Sequence, residues 1–193
     1  MPVRGLAVAA VLAVGFAVGG TLRAQAPPSI PQALAALADQ PAAHTSLTFD
    51  RSMLASAQGL IDPNQTEARR LASALTSITV DTYRYPQPAF YAPETMGILS
   101  AAYDAAGWKH LVNANVGPAQ GAQPEKPITD MWLHFHGTEI DDVAVLMRAP
   151  NTMNLIQISC MLRPLDLLHL GGHFGIPKVD PDAVMVPAPP PRR

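Results

Sequence analysis

One cysteine, Cys160, is all that 193 residues contain, so no internal disulfide can brace the fold. A core large enough to stand alone must take its place. Cys160 ends the apolar run Leu155-Ile156-Gln157-Ile158-Ser159-Cys160, where it reads as a small buried hydrophobe rather than a reactive thiol. Charge is also scarce. Only 15% of residues are Asp, Glu, Lys or Arg, the formal net charge is −2, and the 13 basic residues form no run. Binding a phosphate backbone requires clustered Lys and Arg, so nucleic acid is excluded as a partner. The chain has no Gly-x-Ser-x-Gly elbow, no His-Glu-x-x-His helix, and no glycine loop followed by Lys-Ser/Thr. Nucleophilic hydrolysis, zincin chemistry and phosphate-loop chemistry therefore lack support, and no catalytic residue and no cofactor is assigned.

Long apolar runs are missing too. The longest, Gly5 to Gly20, has 16 residues, short of the roughly 18–20 that a spanning helix needs. It has the polarity of a secretory signal: Arg4 precedes it, and Ala24-Gln25-Ala26 follows with the small-x-small form that signal peptidase cuts. Residues 1–26 are read as a signal peptide, placing the protein in the periplasm or outside the cell. Pro27 disfavours that cut, because its fixed φ and missing N–H fit an extended protease cleft poorly. An uncleaved segment would be the only source of membrane contact. No cysteine lies near the run to accept a lipid.

What remains is punctuated clearly. Residues 27–43 are rich in Ala and Pro and read as a linker, with a helical turn or two around Pro31 to Ala38. Residues 179–193, with Pro181, Pro187, Pro189, Pro190 and Pro191, read as a disordered tail. One domain is expected over 44–178. Thr45–Phe49 is a strand candidate, and Asp50 caps a helix carrying Met53, Leu54 and Ala57. Asp62-Pro63-Asn64-Gln65 reads as the start of a helix with Ala68, Leu71, Ala72 and Leu75 on one face. Ile78–Tyr85 alternates as a strand, Pro93 opens a helix that Gly107 ends, and Trp108–Asn113 is a strand. Gly117–Pro127 reads as a polar loop. Ile128–His136, Ile140–Met147 and Met153–Cys160 follow with turns at Gly137-Thr138-Glu139 and Ala149-Pro150-Asn151, a meander. Pro164 opens a last helix, stopped by Gly171-Gly172. The fold class is α+β: a largely antiparallel or mixed sheet of five to six strands with helices packed on one face.

Three stretches give the chain a family look. They are Leu75-Thr76-Ser77-Ile78-Thr79-Val80-Asp81-Thr82-Tyr83, Gly107-Trp108-Lys109-His110-Leu111-Val112, and Pro164-Leu165-Asp166-Leu167-Leu168 with Leu170-Gly171-Gly172-His173-Phe174-Gly175-Ile176-Pro177. On these the region from Thr45 to Pro177 resembles a bacterial exported family, domain of unknown function 4252. The resemblance implies export, often as a lipoprotein, and no established activity; this chain lacks the lipid-accepting cysteine. It carries over no catalytic residues.

Two side-chain groups remain as candidate sites. On the strand Met131–His136, His134 and His136 share a face with Trp132, and two histidines at i and i+2 can form half of a zinc site. His169 and His173 would have to converge on them, across the Gly171-Gly172 break. Glu139, Asp141 and Asp142 read as solvated turn charges, since their spacing matches no calcium loop. Tyr83, Tyr85, Phe90 and Tyr91 surround Pro86 and Pro88; such a stiff aromatic loop either packs at the strand exit or presents apolar area to a partner. The leading expectation is a non-enzymatic, exported binding or interaction domain that binds another envelope protein or a ligand. A zinc-binding periplasmic protein using His134 and His136 is the alternative, and an envelope hydrolase with a site hidden from sequence the third reading.

Overall fold

Apolar residues at consecutive positions, rather than alternate ones, mark the middle of this molecule: Val143, Ala144, Val145 and Leu146 are all buried. A strand apolar on both sides must lie between two packed layers. The computed structural model describes residues 28–112, 121–164 and 166, with the backbone of 184–186, and it shows that arrangement. Its elements run α1 (Ile30–Ala35), β1 (Ala43–Phe49), α2 (Arg51–Gln58), α3 (Thr66–Ala74), β2 (Leu75–Arg84), α4 (Pro93–Ala105), β3 (Lys109–Val112), β4 (Ile128–His136), β5 (Glu139–Arg148), β6 (Thr152–Leu162) and β7 (Val184–Val186). The strands form one sheet in the order β1-β2-β6-β5-β4-β3-β7, with every neighbouring pair antiparallel. The fold is α+β, as the sequence predicts. Strands β1–β6 build the expected antiparallel sheet, and the three-residue β7 extends it at the β3 edge.

The meander β4-β5-β6 forms because its turns are short and suitably built. Gly137 opens the two-residue β4–β5 turn at φ 64°, a conformation glycine adopts without steric cost. Ala149-Pro150-Asn151 makes the next turn, where the Ala149 N–H donates to the Thr152 carbonyl at 2.8 Å. Asp50 caps α2 as expected, its carboxylate accepting from the Ser52 and Met53 N–H groups. Asp62 behaves differently. Its side chain accepts from the Asn64 N–H at 2.8 Å, and α3 begins only at Thr66. The carboxylate closes a local turn instead of capping the helix.

Helices cover both faces of the sheet, where one face was expected. On the first face, α2 and α3 bring Leu54 and Leu71 against Ile78, Met131, Leu133, Val143, Val145, Ile156 and Ile158. On the second, α1 and α4 bring Ala33, Leu34, Leu99, Ala102 and Tyr103 against Trp132, Ala144, Leu146, Met153 and Leu155. The segment 27–43, expected as a linker, supplies α1 and the buried Leu37 to this second layer. Ala33, Leu34 and Leu37 are buried in that layer, and the Thr95 hydroxyl of α4 donates to the Leu37 carbonyl at 3.1 Å. The tail also departs from expectation at 184–186, which pair with β3. The signal segment, the glycine break at 171–172 and most of the Pro164 helix lie outside the described residues. No helix among the described residues is long and apolar enough to cross a membrane.

Leu37 separates a linker from a core element. Leu37→Ala should cost about 2–5 kcal/mol in urea denaturation, as for a buried leucine. A linker residue would change stability by no more than roughly 0.5 kcal/mol.

Candidate functional site: a histidine and two aspartates at a sheet bulge

Strand side chains alternate between faces, so Asp141 and Asp142 should point in opposite directions. A β-bulge prevents this. In the β4–β5 register Phe135 opposes Ile140 and His134 opposes Asp142, which leaves Asp141 as the extra residue. The bulge turns Asp141 toward the second face, beside its neighbour. His134 Nδ1 lies 2.7 Å from Asp141 Oδ1, and the Ser159 hydroxyl on β6 donates to Asp142 Oδ1 at 2.7 Å. The ligand-capable atoms of His134, Asp141 and Asp142 all lie within 4.8 Å of one another, and all three residues are half-buried. The Trp108 ring is 5.5 Å from the His134 ring and forms one wall. Gly107, at φ +90°, brings the chain from α4 into β3 past the same imidazole; a Cβ there would meet His134 Nε2 at 3.6 Å.

His136 takes no part in this group. It is exposed beside the turn, opposite Glu139. The i,i+2 pairing anticipated for His134 and His136 is replaced by one histidine and two carboxylates from the facing strand. The bulge redirects Asp141 beside Asp142, and sequence carries no marker for it; both aspartates belong to β5 and not to the turn. His169 and His173 lie outside the described residues.

The aromatic group splits. Tyr85 and Tyr91 are fully packed in the second core, their rings meeting edge to face at 6.2 Å. The Tyr91 hydroxyl donates to the Ala149 carbonyl at 2.8 Å, and burial, partly offset by the charge of Arg148, pushes its pKa up to about 12. Tyr83 is half-buried, stacked on His44 at 4.5 Å. Only Phe90, 41% exposed, faces solvent. A contact loop made of all four is therefore ruled out: two of its members hold the core. Cys160 is buried as expected, its thiol donating to the Ile140 carbonyl at 3.5 Å. Burial, reinforced by the charges of Asp142 and Asp141, raises its pKa to about 12, so it stays an unreactive thiol at neutral pH.

Sequence reasoning also missed a buried polar group at the other end of the β4–β5 ladder. Arg148 Nη2 donates to Asp130 Oδ2 at 2.9 Å and Nη1 to the Gly121 carbonyl at 2.7 Å. His110 Nε2 approaches Asp130 Oδ1 at 3.3 Å, while its ring stacks on Trp132 at 4.5 Å and Trp132 stacks on Tyr103 at 4.4 Å. Burial opposes ionisation of Asp130, but the His110 hydrogen bond and the Arg148 charge outweigh it and hold the carboxyl below its usual range. With Arg148 occupying the carboxylate, this group is structural.

No protein-family model matches the chain, and neither a curated protein nor a solved structure matches it.

The folded Asp130 pKa lies below its unfolded value, so its contribution to stability is present above about pH 4 and is lost as pH falls through the folded value. Asp130→Ala should cost about 3–5 kcal/mol at pH 7 by stranding buried Arg148. It should also flatten the acid limb of the stability profile, measured by urea melts between neutral pH and the acid range.

Proposed function

We propose that this protein is an exported binding domain of the bacterial cell envelope, and that what it binds is a divalent first-row metal ion, zinc foremost, at His134, Asp141 and Asp142. The observation that carries this reading is the bulge that sets both aspartates beside one imidazole on one sheet face. One nitrogen and two carboxylate oxygens suit zinc, and three protein ligands leave a fourth position for water or a ligand group. Around a tetrahedral ion ligand atoms stand roughly 3.3 Å apart. The 2.7 Å contact between His134 and Asp141 therefore opens by about half an ångström on binding, a small movement for half-exposed groups. The Ser159 hydroxyl steadies Asp142, in the manner of outer hydrogen bonds that orient metal ligands. The exported location rests on residues 1–26, and the likeness of Leu75–Tyr83 and Gly107–Val112 to the exported family of unknown function supports the same reading.

Titration of chelator-stripped protein with zinc chloride should give one equivalent by calorimetry and a raised melting temperature. At a hundredfold excess over Kd the gain is about 2.7 kcal/mol. His134→Ala and Asp142→Asn should each weaken binding at least tenfold, whereas His136→Ala leaves it unchanged. Absence of heat and of any thermal shift at millimolar zinc removes the metal reading. The export reading predicts recovery of the tagged chain in the periplasmic or secreted fraction; retention in the cytoplasm would contradict it.

A further inference from the structure

Among the described residues, one edge of the sheet lacks the usual protections. Strand β1 (Ala43-His44-Thr45-Ser46-Leu47-Thr48-Phe49) pairs with β2 on one side, and no strand pairs with its outer side among the described residues. Edge strands offer unpaired N–H and C=O groups to any other strand, and they are normally guarded by Lys, Pro, a bulge or very short length. β1 has seven residues in unbroken register, no proline, and no Asp, Glu, Lys or Arg. Its single titratable side chain, His44, is held by Asp81 at 2.9 Å. Exposed apolar side chains gather on the same border. Leu47 is 55% exposed, and Met53, on the helix α2 that packs beside β1 on that face, is 47% exposed.

We propose that two copies of this chain join through their β1 edges, antiparallel, about a two-fold axis at Ser46, making one continuous sheet across both. The sequence of β1 is self-complementary under that operation. Thr45 faces Leu47 of the second copy, Ala43 faces Phe49, and His44 faces Thr48, so no like charges meet. The two Leu47 side chains become diagonal neighbours on the first face, flanked by the two α2 helices, which covers the apolar shelf. A strand from an unrelated protein would satisfy the backbone alone; in a second copy Ala43 meets Phe49, His44 meets Thr48, and the two exposed Leu47 side chains cover each other diagonally, which favours that occupant.

Light scattering and sedimentation equilibrium on the full chain should give twice the mass of the monomer at micromolar concentrations. Leu47→Lys and Thr45→Lys alter exposed side chains only and should weaken the dimer at least tenfold, with circular dichroism unchanged. Ser46→Cys should crosslink to its own copy on mild oxidation, while the buried Cys160 stays unreactive and Ser52→Cys on α2 does not crosslink. A monomer at about 100 μM, roughly a hundredfold above a micromolar Kd, overturns the proposal. So does a dimer that survives both lysine variants, or one that Ser46→Cys fails to lock.

Discussion

Strand β5 is pressed from both sides, and the rest of the molecule is arranged to keep it so. Val143 and Val145 face the branched side chains of β4, β6 and α3; Ala144 and Leu146 face the aromatic layer under α1 and α4. The two faces differ in size rather than polarity. Ala144 lies opposite Trp132 in register, a small residue beside the largest one, and that indole then stacks on Tyr103 and His110. A slip of one residue would put valine against the indole and force overpacking. It would also separate Arg148 from Asp130 and leave a buried charge without its partner, which is far costlier than the pair itself is stabilising. Register here is held by volume and by one ion pair, where a half-exposed sheet would rely on its polar face.

The same strand explains why the candidate site is where it is. Toward the Gly137 turn the second apolar layer ends and β5 turns polar, with Asp142 opposite His134 on one side and Ser159 on the other. At this boundary a bulge costs little, because no packed layer has to follow the displaced residue, and it brings two negative groups onto one face. The two-layer core fixes β4 and β6 on either side, so the imidazole and the serine hydroxyl reach the aspartates from rigid strands rather than from a loop. Trp108 closes the site from the start of β3, placed there by the left-handed turn at Gly107.

Much of the fold was legible because its signals are local. Asp50 as a cap, Pro93 at a helix start, the glycine turn after His136 and the alternation in β2 each act within a few residues. What escaped the sequence depended on distant partners. Residues 30–37 resemble a spacer by composition, and only packing against α4 and the second face of the sheet makes Ala33, Leu34 and Leu37 part of the core. Tyr85 and Tyr91 are equally compatible with exposure until Arg148 and the Ala149 carbonyl are placed beside them. At the site, His134 was visible, but its companions were not: alternation assigns neighbouring aspartates to opposite faces, and a bulge breaks that rule without a sequence marker. His136, adjacent by the same rule, ends beside the turn instead.

The strand order has a consequence for how the chain comes together in time. β6 lies between β2 and β5, so the antiparallel pair β1 and β2 has no route into the sheet until residues 152–162 arrive. Until then the early helices α1 to α3 have no finished surface to rest on, and the loop that must close spans nearly seventy residues (about 68 between the end of β2 and the start of β6). Closing so long a loop is slow compared with forming local helices. A chain emerging from its first residue onward would thus stay open and pliable until β6 had emerged, and would take its shape only near the end.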